Sequence, residues 1–507
     1  MNTSVAQATP AEANRNPSHL FYVTRLRRPL VDRAEGIYVW TQDGRRFIDG
    51  SSGPIAVSIG YGNPNVLAAM KRQMDKTTFA YRLHFESEPA EELARDLAGR
   101  MPGGLDRIFF VSGGSEAVES CIKLARQWAV ATGQPSRWKV IARMPSYHGG
   151  TYGALAVTGD GMLTDTFADQ MRMMPTVPAP TAYRDRDNLT MDERGLKYAD
   201  MLEERIIAEG PDSVVAFIME PIGGAATNVL VAPDSYYPRI REICDRYGIL
   251  LIHDEVMSGV ARTGRFLGGD HWNCRPDIVA LSKGIGSGYA PLGAMAAPDR
   301  IVKPVLDMGG FQHGHTYAGN PLACAAGLAV LGEIDRLGLT ANAAAMGEAL
   351  MDAMRGLAQR FPFIGDVRGR GLFTALEFVA DPVTMERLPP EMKIGQRVLD
   401  LSYERGLIVY FRRVSGGVQG DCVMVCPPLI VTREQVDEIV SILGDAIAVA
   451  ERFRRHRSRH GTLAALLQAL VVAEEERAVP LHGPAHRAAE NVLVEFRRLG
   501  LLGLVGL

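Results

Sequence analysis

From Ala90 to about Ile334 the chain alternates short apolar runs with stretches of helical spacing, and no other feature limits its fold as much. The runs are RIFFV, KVIA, VAFIM, ILLIHDEV and DIVALS. A strand that is apolar along its whole length must be covered on both faces, and parallel strands joined by crossover helices give that cover. The chain is therefore expected to be α/β, with a mostly parallel sheet in a large domain over 81–334. Upstream, GIYVWTQDGRRFIDG alternates apolar and polar residues around a DG turn, which predicts a β-hairpin. Downstream, Asp335 to Arg452 reads as helix, strand (GLFTALEF), helix, strand (GLIVYF), strand (CVMVCPP) and helix, the order of a smaller α+β domain. Segments 21–80 and 335–453 are expected to form that small domain, with a cleft between it and the large one. Residues 1–20 read as a loose polar arm. Residues 454–507 read as a helical extension without a cofactor-type motif, and the run ERFRRHRSRHG that leads into it reads as a solvated linker.

With 507 residues, 47% of them apolar, the chain can bury a large core. A formal charge of -3 leaves no basic footprint for nucleic acid, so small molecules and copies of the chain are the expected partners. The six cysteines are scattered without a zinc pattern, which predicts reduced, buried thiols and no metal site. The N-terminus lacks a basic start followed by an apolar stretch, and no apolar run reaches the roughly 20 residues of a membrane helix. A cytoplasmic location without membrane contact is expected.

Three segments carry chemistry. In RIFFVSGGSEAVESCIKLARQW a strand meets a glycine-rich turn and then a helix. Gly113 and Gly114 let the backbone approach a phosphate, Ser115 adds a hydroxyl, and the helix start offers unpaired N–H groups. In GILLIHDEVMSG a buried strand ends in Asp254 and Glu255, a carboxylate pair that could hold a protonated ring nitrogen, bind Mg²⁺ or cap a loop. In PDIVALSKGIGSGYAPLGA another strand delivers Lys283 into a glycine-rich loop, where burial would free its amine to attack a carbonyl.

Together these segments resemble the class III aminotransferases of the fold type I pyridoxal-phosphate enzymes. The resemblance covers most of residues 20–452 and rests on SGGSEAVE, SYHGGT, MEPIGG, DEVMSGVARTG, LSKGIGSGYAPLGA, HTYAGNPLACAA, VRGRGL and PPLIVT, in family order. It implies that Lys283 carries pyridoxal 5'-phosphate as an imine and that Asp254 pairs with the pyridinium nitrogen. It places Val256 against one ring face, Tyr147 on the other with His148 beside it, and Gly114 and Ser115 at the phosphate. Thr316 would reach the phosphate of a neighbouring subunit, which implies a homodimer or a dimer of dimers. Glu220 of MEPIGG resembles the family's active-site glutamate. The implied reaction is a ping-pong transfer of an amino group to a 2-oxo acid. Decarboxylation, racemisation and aminomutase chemistry share the imine, and a non-catalytic protein on the same scaffold is the remaining alternative.

The resemblance is incomplete at the substrate pocket. Members that use 2-oxoglutarate with ornithine, acetylornithine or 4-aminobutyrate carry an arginine where this chain has Gly150, so a bidentate carboxylate clamp is missing there. That shifts the expectation toward amine or ω-amino acid transaminases that use pyruvate. Those members often carry a tryptophan and a mobile arginine where Ile55 and Tyr410 align, and Arg412 and Arg413 lie close by.

Overall fold

The computed structural model describes residues 18–21, 26–411 and 420–475. Its first strands, β1 (Val31–Glu35), β2 (Tyr38–Thr41) and β3 (Arg46–Asp49), form an antiparallel meander, and β2 and β3 are the hairpin read around the DG turn. Gly44 in that turn has φ +84°, a conformation glycine adopts without steric cost.

The large sheet has seven strands. In chain order they are β4 (Arg107–Val111), β5 (Lys139–Met144), β6 (Thr176–Pro178), β7 (Val214–Met219), β8 (Leu250–Asp254), β9 (Ile278–Leu281) and β10 (Gly293–Ala297). Their spatial order is β4-β10-β9-β8-β7-β5-β6. All run the same way except β10, which lies antiparallel between β4 and β9. The mostly parallel sheet expected from the apolar runs is thus present. Two of its strands went unread, because β6 is three residues long with a terminal proline and β10 is the weak strand former GAMAA. Strand β10 owes its state to the neighbours that supply hydrogen bonds on both edges.

Each face of the sheet is covered. On one, Val118, Cys121, Leu124 and Ala125 of the helix Gly114–Ala131 pack with Val140, Ala142 and Ile252. On the other, Ile240 and Ile243 of the helix Tyr236–Tyr247 pack with Ile141, Phe217 and Leu251. Burying each such large aliphatic side chain contributes about 2 kcal/mol. The alternation 140, 141, 142 between the two clusters shows how one strand feeds both layers.

The later strands are β11 (Ile364–Arg370), β12 (Phe373–Asp381), β13 (Glu386–Arg387), β14 (Leu407–Ile408) and β15 (Asp421–Val425). Strand β12 is central, pairing antiparallel with β11, β13 and β15. Strand β11, over the polar IGDVRGR, was not read as a strand; it forms because β12 presents an unpaired edge. Strand β14 lies outside this sheet and pairs parallel with β3, Leu407 opposite Ile48, so the N- and C-terminal segments share the sheet β1-β2-β3-β14. In VRGRGL, Gly371 has φ +53°, and a Cβ there would strike the Thr263 backbone.

The chain divides into two units, Met1–Ile447 and Ala448–Leu507. The last described helix is Arg433–Glu475. None of the described helices is long and apolar enough to cross a membrane.

Arg262 joins three segments of the first unit. Its buried guanidinium donates to the Leu372 carbonyl at 3.2 Å, the Pro427 carbonyl at 2.6 Å and Ser52 Oγ at 3.2 Å. Arg262→Met leaves those acceptors buried without a donor and should cost about 3 kcal/mol. A melting curve that shows no loss of thermal stability in the purified variant would refute this role.

Candidate active site

Five parallel strands end at the same edge of the large sheet, and each hands a residue to one cleft. Beyond Val111 of β4 come Gly114 and Ser115, and beyond Met144 of β5 come Tyr147 and His148. Glu220 directly follows β7, Asp254 is the last residue of β8, and Lys283 follows β9 by two residues. With Gly149, Ile222, Val256 and Met257 they line a cavity of about 140 Å³. Eight of the residues singled out from sequence are thus brought together: Gly114, Ser115, Tyr147, His148, Glu220, Asp254, Val256 and Lys283.

Asp254 is buried, and its Oδ2 lies 2.8 Å from His148 Nδ1. A carboxylate oxygen can only accept, so the imidazole donates from Nδ1. The other oxygen, Oδ1, accepts the Val256 N–H at 3.1 Å. The next acid points away. Glu255 accepts the Gly268 and Gly269 N–H groups at 2.9 and 2.8 Å and the Ser258 hydroxyl at 2.5 Å, and burial pushes its carboxyl up to about 7. The strand's alternation separates the pair, giving the cleft one carboxylate and a loop the other. No group of three or more His, Cys, Asp or Glu among the described residues is placed to hold a metal ion.

Lys283 opens a single turn of 3-10 helix with φ +47°, a backbone position costly for a side chain with a Cβ. Part of the side chain faces the cleft, and enclosure by protein lowers its amine to about 8 against the opposing pull of Asp254 and Glu220. At neutral pH a usable fraction is therefore unprotonated.

The helix Gly114–Ala131 starts at the cleft with no side chain capping its first N–H groups. A Cβ on Gly114 would lie 2.9 Å from Val256 Cγ1, so glycine lets the helix start close against the wall. Ser115 Oγ accepts the Gly150 N–H at 3.0 Å, tying this helix to the SYHGG loop. Gly150 itself is exposed, and a Cβ there would meet nothing within 4 Å.

Other sequence candidates lie elsewhere. Thr316 is exposed, in the turn before the helix Pro321–Arg336, outside the cleft lining of its own chain. Ile55 is buried in a cluster with Ile222, Phe373 and Met424, against which Met257 and Tyr410 pack, so it backs the cleft wall. Arg412 and Arg413 lie outside the described residues. Sequence reasoning passed over Arg143, whose Nη2 donates to the Glu220 carbonyl and lies 3.8 Å from Glu220 Oε2. The available signal was an arginine inside the apolar strand KVIARM.

The chemistry of the lining fits pyridoxal phosphate. An uncapped helix start suits a phosphate, a buried carboxylate suits a protonated ring nitrogen, and an enclosed amine suits an aldehyde. His148 Nε2 is buried and lacks a hydrogen-bond partner, so polar capacity remains at the site.

The class III aminotransferase family model matches residues 23–447. The diaminobutyrate–2-oxoglutarate transaminase of Halomonas elongata is 36% identical over 421 residues, covering 81% of this chain and 88% of its own. The putrescine–pyruvate aminotransferase of Pseudomonas aeruginosa is 34% identical over 417 residues, covering 82% and 89%. The crystal structure of a thermostable (S)-enantioselective omega-transaminase from Thermomicrobium roseum superposes with a TM-score of 0.80 at 36% identity, covering 85% of this chain and 96% of that one. The chain belongs to the class III aminotransferases and is a pyridoxal-phosphate-dependent enzyme of that family.

Proposed function

We propose that the enzyme moves an amino group from an amine or ω-amino acid to a 2-oxo acid by a ping-pong route, with pyruvate favoured over 2-oxoglutarate. Gly150 carries the acceptor assignment. Relatives named for either acceptor are about equally similar, so kinship leaves the choice open. At Gly150 no guanidinium meets the second carboxylate of a dicarboxylic acid, and a carboxylate desolvated without a partner is costly. Among the described lining residues Lys283 is the only cation of the lysine–arginine type.

Bound pyridoxal phosphate supplies an aldehyde that captures amines and a ring that accepts an electron pair. In this reading the N–H groups at the start of the helix Gly114–Ala131 and the Ser115 hydroxyl hold the phosphate. Asp254 holds the proton on the ring nitrogen, and His148 orients Asp254 through the 2.8 Å bond. Tyr147 and Val256 face the ring from opposite sides. The Lys283 amine, near neutrality in its titration, would take a proton from the substrate carbon and deliver it to the carbon of the cofactor's aldehyde. Glu220 stands at the substrate side. Six buried free cysteines agree with a reducing, cytoplasmic setting.

A second copy of the chain suits the exposed apolar side chains Phe79, Leu83, Phe85 and Tyr317, of which Tyr317 directly follows Thr316 and packs against Phe79. Phe79 and Tyr317 touch, and the Asn320 amide donates to the Thr78 carbonyl, so these loops form one surface. We propose a homodimer in which this surface is covered; a monomer in sedimentation at micromolar concentration would overturn it.

Borohydride should fix pyridoxal phosphate to Lys283 and to no other lysine, read by peptide mass. Lys283→Ala and Asp254→Asn should retain cofactor through the phosphate contacts yet lose roughly three orders of magnitude in turnover. Uptake of cofactor by the apoprotein should quicken as pH rises to about 8, where the amine becomes neutral, and level off above it. Near-normal turnover in either variant contradicts the assigned roles.

For the acceptor, kcat/KM with an apolar amine donor should favour pyruvate in wild type. Gly150→Arg, placed where a side chain meets open space, should shift the ratio toward 2-oxoglutarate by roughly tenfold, the worth of one bidentate contact. Alanine at Arg412 or Arg413 should weaken the acid half-reaction selectively if either arginine meets the acid. Preference for 2-oxoglutarate in wild type would refute the reading.

A further inference from the structure

Glu220 and Arg143 are both buried, and each has a side-chain atom without a hydrogen bond: Glu220 Oε2 and Arg143 Nε. The arginine lies behind the cleft rather than in its lining. Its strand β5 runs beside β7, and Nη2 reaches past the end of β7 to donate to the Glu220 carbonyl while standing 3.8 Å from Oε2. Glu220 Oε1 accepts the Gly224 N–H at 3.0 Å. The carboxylate is therefore held from both sides, by a backbone donor and by a fixed cation.

Two buried ions of opposite sign are tolerable together and costly apart. Arg143 has no other carboxylate within 4.0 Å among the described residues. The charge of Arg143 also acts on Tyr236 and Tyr237, the first two residues of the helix Tyr236–Tyr247. Glu220 is also faced by His148 from the loop after β5, by Asp254 from β8 and by Lys283 from the loop after β9. Burial pushes the Glu220 carboxyl up, and Asp254 adds to that push; His148 and Arg143 oppose it. Of the opposing pair, His148 is already committed to Asp254 through Nδ1 and is charged only when protonated, whereas a guanidinium is a permanent cation.

We infer that Arg143 is a positioning residue that fixes Glu220 in place and keeps it ionised, so that the cleft carries a standing negative charge favouring the ammonium of an amine donor over a carboxylate. The effect on substrates rests on the reading of Glu220 as a substrate-side group. The charge state of Glu220 does not, and can be measured without any substrate.

The test uses the cofactor-loaded enzyme and the variants Arg143→Met, Arg143→Lys, Glu220→Gln and the double variant Arg143→Met/Glu220→Gln. Infrared difference spectra at neutral pH should show the carbonyl band of a protonated buried carboxylic acid in Arg143→Met. The band should be absent from wild type, from Arg143→Lys and from the double variant. Donor KM in Arg143→Met should rise roughly tenfold, the worth of one charge-assisted contact, while pyruvate KM does not rise. Absence of the band in Arg143→Met overturns the inference. A band accompanied by equal changes in donor and pyruvate KM keeps the charge assignment and removes Glu220 from the substrate side. Should Arg143→Met fail to fold, recovery of folding in the double variant supports the pairing, and failure of both shows that Arg143 serves the fold alone.

Discussion

Asp254 ends a strand whose five residues are all buried, and the surrounding structure is arranged around keeping a carboxylate there. A buried carboxylate needs hydrogen bonds and a counter-charge. Its bonds come from the His148 imidazole and the Val256 N–H. Within the chain the Lys283 amine faces it as the opposing charge.

The same economy of charge extends around the cavity. Lys283 is drawn toward neutrality by enclosure, although Asp254 and Glu220 oppose the shift. Glu255, adjacent in sequence, is taken up by the Ser258 hydroxyl and the Gly268 and Gly269 N–H groups, none of which lines the cleft. Arg143 stands behind the cleft wall against Glu220. Each ionisable group is assigned by the side of the strand it leaves from, and a shift of one residue would exchange the roles of Asp254 and Glu255.

Much of this was legible before any coordinates. The long apolar runs announced buried parallel strands because only residues covered on both faces can lack polar alternation, and five of seven large-sheet strands were found that way. Strand β10 was not, since small residues such as those in GAMAA signal a strand only once β4 and β9 flank them. Strand β11 was hidden by its charged side chains, among them Arg368, which pairs with Asp366 on its own strand and with buried Glu377 of neighbouring β12. The lysine after β9 was readable as a site signal because a cation delivered by a buried strand into a glycine-rich loop is an unusual placement, whereas the glycine turn at 113–114 gained weight only beside the other motifs.

By itself the sequence determined the parallel sheet, the order of the motifs and the chemical types at each strand end, because apolar periodicity and local turn chemistry are short-range properties. Only the tertiary structure decided which groups share a cavity. It turned Asp254 inward and Glu255 away, set Ile55 behind the wall, left Gly150 facing open space and joined Arg143 to Glu220 across 77 positions. Those outcomes depend on strand register and on the electrostatic cost of isolated buried charges, which act between residues far apart in the chain.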